Sequence, residues 1–296
     1  MPGRCIPSRH RNYTVNIGKY CNLSVVSQDL LRPHPPQSFF TFAHHTQIYM
    51  KVTFLGTNGW YDTVTGNTCS VLVQSEHYDI ILDAGNGIAK ADHYINQEKP
   101  VYLFISHFHL DHITGLHTLV KFNFLKGLNI CGQPGTTGIL RSLVKEPFTV
   151  PFTKLPYKVN FLEFTEGEYN MPFLMECRLL LHPVPCFGYR LTLDDRIITY
   201  CTDTGFCENA VLLARGADLL ITECGLLPGE QSPEWPHLNP ETAITIAKES
   251  RAKRLALMHF GAEVYKTPDD RARVKKQFEP LFPGLIVAND DLSIEI

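Results

Sequence analysis

The sequence predicts an α/β fold, one domain with two sheets and outer helices. Three observations predict it. Short apolar or alternating runs of strand type recur along most of the chain, with a few segments of helical spacing between them. No internal repeat interrupts that order. Each cluster of polar, chemistry-bearing residues falls at the C-terminal end of one of the apolar runs, where α/β folds gather functional groups. With 296 residues, 44% hydrophobic and 19% charged, the chain can bury a sizeable core.

The elements read in order from Met50. "KVTFLG" and "SVLVQS" are strands, and "YDIILDAGNG" is a strand that ends in Asp83 and a Gly-rich turn. "VYLFISHFH" is a strand buried on both faces, and "ITGLHTLVKFNFL" has helical spacing. "LNICGQ" and "VNFLEF" are further strands joined by a linking segment. "CRLLLHPV" is a strand, and "YRLTL-DD-RIITYCTD" a tight hairpin with two acidic residues at its turn. "ADLLITECG" is another buried strand. In "LNPETAITIAKESRA", Asn239 can cap, Pro240 takes the first helical position, and Ala243, Ile244, Ile246 and Ala247 form one face. "RLALMHFG" is the last buried strand.

Residues 1–49 read differently. They hold "RPHPPQ", several basic residues, no acid before Asp29 and no sustained apolar period. The expectation is an N-terminal extension over 1–49, irregular or an artefact of start-site choice, ahead of a single folded domain over 50–296. "RCIPSRHRNY" lacks the amphipathic pattern of a transit peptide. The formal net charge of −3 advertises no nucleic-acid field. No apolar run is long enough to span a bilayer, so a soluble, cytoplasmic protein is expected. Nine cysteines without CxxC spacing suit reduced thiols better than a disulfide framework.

"SHFHLDHITGL" crowds His107, His109, Asp111 and His112 directly after an apolar run. Imidazoles and a carboxylate side by side cost desolvation unless something pairs with them, and a metal would. His182 after "CRLLL", Asp203 after "RIITYCT" and His259 after "RLALM" continue the pattern, with Asp83 after "YDIIL". A lone histidine such as His259 means little by itself; the set means more.

HxHxDH followed by a single His, a single Asp and a final His resembles the metallo-β-lactamase superfamily. Across nearly all of Met50 to Ile296 the order of "LDAGNG", "SHFHLDH", "LHPVPCFGYRL", "YCTDTG", "ADLLITEC", "PHLNPETA" and "LALMHF" is most similar to its ribonuclease Z and phosphodiesterase branch. The resemblance implies an αββα four-layer sandwich with a two-metal site at one sheet edge. It assigns His107, His109 and His182 to one metal, Asp111, His112 and His259 to the other, and Asp203 as the bridge, while Asp83 supports the site by hydrogen bonding. Imidazole and carboxylate ligands suit Zn²⁺, with Mn²⁺ or Fe²⁺ as alternatives. Such a pair holds a bridging hydroxide and stabilises a developing oxyanion. Cys186, Cys201 and Cys207, near His182 and Asp203, are expected to be supporting or core residues, not ligands.

The resemblance also places His237 where relatives carry a histidine that protonates the leaving oxygen, with Glu223 of "ITECG" behind it. Asp111, His237 and Glu223 are thus the catalytic candidates; the bland alternative for His237 is a loop-orienting role before the Asn239 helix. Ribonuclease Z inserts a basic arm that grips transfer RNA between the positions matching His182 and Asp203. Here these are 21 positions apart and the arm is missing. "PHLN" and "CTDTG" depart from the branch's His-Ser-Thr and Ser-Gly-Asp-Thr. Lys121, Lys126, Arg141, Lys145, Lys154 and Lys158, interleaved with Phe122, Phe124, Phe148, Phe152 and Tyr157, read either as a basic, aromatic wall near the site or as solvated lysines over a buried face.

The resulting expectation is a dinuclear phosphodiesterase of nucleotide-like or cyclic substrates. An RNA endonuclease, an arylsulfatase or lactonase, and a metal-binding or redox-sensing protein without turnover are the alternatives. Partners are then a small phosphodiester, with nucleic acid second; no membrane is expected, and the resemblance allows a homodimer.

Overall fold

The computed structural model describes residues 50–296, so the extension expected over 1–49 lies outside the described residues. The first half of the domain comprises β1 (Lys51–Gly56), a two-residue β2 (Asn58–Gly59), β3 (Ser70–Gln74), β4 (Asp79–Leu82), β5 (Val101–Phe104), α1 (Leu110–Ile113), β6 (Leu128–Gly132), α2 (Thr136–Leu143) and β7 (Val159–Glu163). The second comprises β8 (Gly167–Asn170), β9 (Leu174–Leu179), β10 (Phe187–Leu193), β11 (Arg196–Cys201), α3 (Glu208–Ala214), β12 (Leu219–Cys224), α4 (Pro240–Ser250), β13 (Leu255–Gly261), α5 (Pro268–Phe278), β14 (Leu285–Val287) and β15 (Ser293–Glu295).

These strands make two mixed sheets, ordered β15-β1-β3-β4-β5-β6-β7 and β14-β13-β12-β11-β10-β9-β8, with β2 added beside β13. In each sheet an antiparallel part passes into a parallel part: β4 to β7 run parallel in one, β11 to β14 in the other. Alternation along the strands sorts side chains to two faces. From β4, Ile80 and Leu82 enter the core between the sheets, where they meet Tyr189, Tyr200 and Met258, whereas Ile81 points outward under the first sheet's helices. Cys201, Leu220 and Leu257 face α3, α4 and α5 on the opposite outer side. The molecule is therefore the four-layer αββα sandwich that the family resemblance implies.

Local chemistry explains several elements. Asp194 and Asp195, at φ 48° and 60°, form the turn of the β10–β11 hairpin, where both central residues must be left-handed. Asn239 caps α4 by accepting from the Thr242 amide at 2.9 Å, with Pro240 at the first helical position. Other segments differ from expectation. The helix expected over "ITGLHTLVKFNFL" is α-helical only to Ile113 and continues as a 3₁₀ helix over Thr114–Lys121. Gly115 lies so close to the Gly85 carbonyl that no β-carbon would fit there, which fixes the path of this segment against the Gly-rich turn. "RLALMHFG" is not the last strand, because β14 extends the same sheet and β15 closes the first. No helix among the described residues is long and apolar enough to cross a membrane.

Candidate metal centre

Directly paired parallel strands deliver the polar residues to one edge of the sandwich. β4 ends at Leu82 and is followed by Asp83; β5 ends at Phe104 and leads through Ser106 to His107. HxHxDH spans a change of backbone. His107 and His109 are two apart on extended chain, His109 being still extended at φ −62° and ψ 148°, while Asp111 and His112 sit on the first turn of α1. From the second sheet come His182 after β9, Asp203 after β11 and His259 within β13. Asp83, Asp203 and His259 have φ of 59°, 46° and 48°, conformations that cost a side-chain-bearing residue about 1–3 kcal/mol and cluster at functional sites.

Two groups of ligand atoms result. In one, Nε2 of His112 lies 3.2 Å from Nε2 of His259, 3.3 Å from Oδ2 of Asp111 and 3.1 Å from Oδ1 of Asp203. His259 Nε2 lies 3.2 Å from Asp111 Oδ2 and 3.1 Å from Asp203 Oδ1. In the other, ligand atoms of His107, His109, His182 and Asp203 all lie within 4.8 Å of one another. His109 Nδ1 and His182 Nε2 are 3.4 Å apart, and His107 Nε2 is 3.8 Å from Asp203 Oδ2. Asp203, almost wholly buried, thus turns one oxygen to each group.

Hydrogen bonds alone do not account for these contacts. His112 Nδ1 meets Asp83 Oδ2 at 2.8 Å, so the proton of a neutral ring resides there and its Nε2 lone pair faces two carboxylates. His107 Nδ1 meets Ser106 Oγ at 3.0 Å, and that hydroxyl donates to Asp83 Oδ2 at 2.7 Å, leaving His107 Nε2 buried and without a partner. Bare nitrogens directed at carboxylates repel unless a cation lies between them. The 3.1–3.3 Å separations in the first group are close to the edges of about 3.3–3.4 Å that tetrahedral bonds of about 2.0–2.1 Å to zinc would produce. The residues present fit divalent cations.

Without a cation the cluster is electrostatically tense. Burial pushes Asp203 upward, but His259, His112 and His107 outweigh it and hold the carboxyl well below its ordinary value. Burial drives His107 well down and His182 down to about 4, which keeps both as neutral donors near neutral pH. Burial also works against protonation of His112, yet Cys69 and the Asp203, Asp111 and Asp83 carboxylates raise it well above its ordinary value.

His237 and Glu223 meet as expected, Nδ1 to Oε1 at 2.6 Å. Glu223 also accepts from the amides of Thr204 at 2.6 Å and Gly225 at 3.0 Å, which fix its direction. Burial lowers the His237 pKa, but the Glu223 charge and hydrogen bond prevail and raise it to about 9. The ring stands 5.8 Å from that of His182 and 6.1 Å from that of His259, over both groups. His237 and His259 border a cleft of about 540 Å³ whose walls also include Trp60, His109, Asp111, Asp203 and Trp235.

Some residues at the site were missed from sequence. Trp60 donates its amide to Asp111 Oδ2 at 2.8 Å, Tyr200 donates its hydroxyl to Asp83 Oδ2 at 2.8 Å, and Cys69 Sγ lies 3.1 Å from His112 Nδ1. Cys69 is on the Nδ1 side of that ring, which also faces Asp83, and burial pushes its thiol up to about 12, so it is a poor ligand as it stands. Cys201 is buried among apolar neighbours, and Cys186, also buried, has its Sγ 3.8 Å from Nδ1 of His107, behind the ring nitrogen that faces Asp203. The basic, aromatic wall is not formed at the cleft: Phe122, Phe124 and Phe152 are core, Lys121 pairs with Asp92 and Lys154 with Glu146, and none of the six cations lines the cleft. The lysines between residues 113 and 160 are exposed and solvated, away from the cleft.

Comparison with known proteins agrees with this architecture. Residues 78–260 match the family model described as Beta-lactamase superfamily domain. The chain belongs to the beta-lactamase superfamily, whose members are metal-dependent hydrolases. A Bacillus subtilis protein named "Probable metallo-hydrolase YhfI" is 29% identical over 230 residues, covering 71% of this chain and 87% of that one. Ribonuclease Z of Prochlorococcus marinus is 27% identical over 320 residues, covering 83% of this chain and 100% of that one. An alignment that long on a chain of 296 residues leaves part of the ribonuclease without counterpart here. The crystal structure of YhfI superposes with a TM-score of 0.69 at 25% identity, covering 84% of this chain and 100% of the other. Human tRNase Z, short form, shares the fold with a TM-score of 0.65 at 23% identity, over 83% of this chain and 98% of the other.

Proposed function

We propose that this chain is a hydrolase with a two-cation centre that cleaves small nucleotide-like or cyclic phosphodiesters. Asp203 carries the reading: its two oxygens face two separate ligand groups, Oδ1 toward His112 and His259 and Oδ2 toward His107. His107, His109 and His182 would hold one ion, Asp111, His112 and His259 the other, with Asp203 shared. Divalent cations there, Zn²⁺ by the chemistry of the donors, would supply charge against the phosphoryl oxygens and acidify a water.

The chain's own residues do the rest. Asp83 sets the tautomers of one histidine in each group, His112 directly and His107 through Ser106. The Trp60 amide holds Asp111 in place. His237, protonated on both nitrogens while its charge is supported by Glu223, turns its other nitrogen toward the cleft and can give that proton to a departing alkoxide, a role worth about 10²–10⁴-fold.

A ribonuclease Z-type endonuclease is the second reading, favoured by the ribonuclease relatives. Against it, no lysine or arginine lines the cleft among the described residues, and the β10–β11 hairpin closes in a two-residue turn with no arm. An arylsulfatase or lactonase would use the same centre. Hydrolysis of bis(p-nitrophenyl) phosphate by Zn²⁺- or Mn²⁺-loaded protein, beside a chelated sample, tests the proposal. Turnover only with metal supports it; no turnover from loaded protein sends the assignment to sulfate esters or lactones.

A further inference from the structure

The sequence contains two tryptophans, 175 positions apart, and both stand at the mouth of the same cleft. Trp60 is 61% exposed and Trp235 42%. Their ring centroids are 6.5 Å apart and their planes meet at 85°, so they form the two sides of a corner. Trp235 lies parallel to the His109 ring, 5.8 Å away and 9° from coplanar orientation, which ties one side of the corner to a candidate ligand. Trp60 is held by the hydrogen bond its backbone amide donates to Asp111 and has φ 73°, an unusual conformation for a bulky residue, maintained at the cost of strain.

A single exposed apolar residue needs no explanation. Two fixed tryptophans at right angles beside the candidate centre do. A planar ring placed in that corner lies face-on to one indole and edge-on to the other, the two arrangements aromatic pairs prefer. The remaining lining points the same way. Leu226, Ala262 and Val264 are apolar, and the charged side chains beyond the candidate centre and His237 reduce to the carboxylate of Glu263. A second phosphate or a polynucleotide backbone would find no cation there.

We infer that the cleft selects a phosphoester carrying a neutral planar aromatic group, which stacks in the Trp60–Trp235 corner while the phosphate enters the centre. The inference rests on the proposed phosphodiesterase reading for the phosphate alone. Nucleobase and simple aryl share the required chemistry.

Because both tryptophans are in the corner, intrinsic fluorescence of the Zn²⁺-loaded full chain reports on it. Titration with adenosine 5′-monophosphate, phenyl phosphate and methyl phosphate, the last read by displacement, compares one anion with three substituents. Saturable quenching by the two aromatic esters, with about tenfold tighter binding than methyl phosphate, is expected. Equal affinities for all three, or no change in emission at saturation, overturn the inference. In Trp235→Ala, read through Trp60, aromatic affinity falls about tenfold while methyl phosphate binds as before, and Trp235→Phe retains most of the advantage. An equal loss for all three esters in Trp235→Ala contradicts the stacking role. Tighter adenosine monophosphate identifies a nucleobase, tighter phenyl phosphate an aryl group, and either supports the corner. If bis(p-nitrophenyl) phosphate is not hydrolysed but the aromatic advantage persists, the proposed reaction fails and the corner stands. Hydrolysis without an aromatic advantage leaves the reaction standing and overturns the corner.

Discussion

Asp83 Oδ2 lies 2.8 Å from Nδ1 of His112, and the same oxygen accepts the hydroxyls of Ser106 and Tyr200. Through Ser106 it also orients His107, so one buried carboxylate directs the lone pairs of a histidine in each ligand group. None of the three strands that supply these residues could do so alone: Asp83 follows β4, Ser106 follows β5, and Tyr200 reaches across from β11 in the other sheet.

Asp83→Asn should therefore weaken metal binding without removing a ligand. The amide can donate where the carboxylate only accepted, and the His112 tautomer is no longer fixed. A loss of about 10–100-fold in Zn²⁺ affinity is expected, measured by chelator competition. Unchanged affinity would mean the network is only structural.

His237→Ala should slow an alkyl phosphodiester about 10²-fold or more and a nitrophenyl ester far less, because nitrophenolate leaves without a proton. Equal losses on both would assign His237 to orienting the loop before α4.

The pH profile follows from the same pair. His237 is raised to about 9 by Glu223, so the acid form prevails below that pH and turnover of alkyl esters declines as pH rises through it. Glu223→Gln removes the supporting charge, and burial then lowers the histidine. The basic limb should move to lower pH, measured as kcat/KM against pH with an alkyl ester. A limb that stays in place would exclude His237 as the titrating acid.

Gly59 is packed against the His259 ring: a β-carbon there would lie 2.4 Å from Cε1. Gly59→Ala should displace His259, reducing metal content at the Asp111–His112–His259 group while circular dichroism stays native. Full metal content would show that the ring can retreat without leaving the group.

Binding of a small phosphodiester should change little between about 50 and 200 mM salt, since no lysine or arginine lines the cleft among the described residues. A steep decline with salt in that range, above all with RNA, would favour the endonuclease reading.

Legibility in the sequence varied with how each residue is held. Strands such as β4, β5, β12 and β13 announced themselves as apolar runs, and the polar residues at their ends were legible for the same reason. α5 was hidden because its buried face consists of Arg271, Val274 and Phe278 within "PDDRARVKKQF". The Arg271 guanidinium is buried over the Phe260 ring at 4.5 Å and donates to Thr57 Oγ1 at 2.7 Å, so a charge occupies an apolar position in the helical period. Its start was nevertheless readable: Thr267, Pro268 and Asp270 form a capping box with proline at the first helical position. Cys69, Ser106 and Tyr200 escaped because each is an ordinary strand or strand-end residue that acquires a role only when the two sheets face one another. Trp60 and Trp235 had no period or motif to mark them; only folding brings them together.

Whether Asp203 bridges two cations can be decided by elemental analysis of the protein after equilibrium dialysis against Zn²⁺. Two ions per chain are expected in the native protein and no more than one in Asp203→Ala, with a native circular dichroism spectrum in both. One ion per chain in the native protein, or two retained in the Asp203→Ala variant, would contradict the bridged centre.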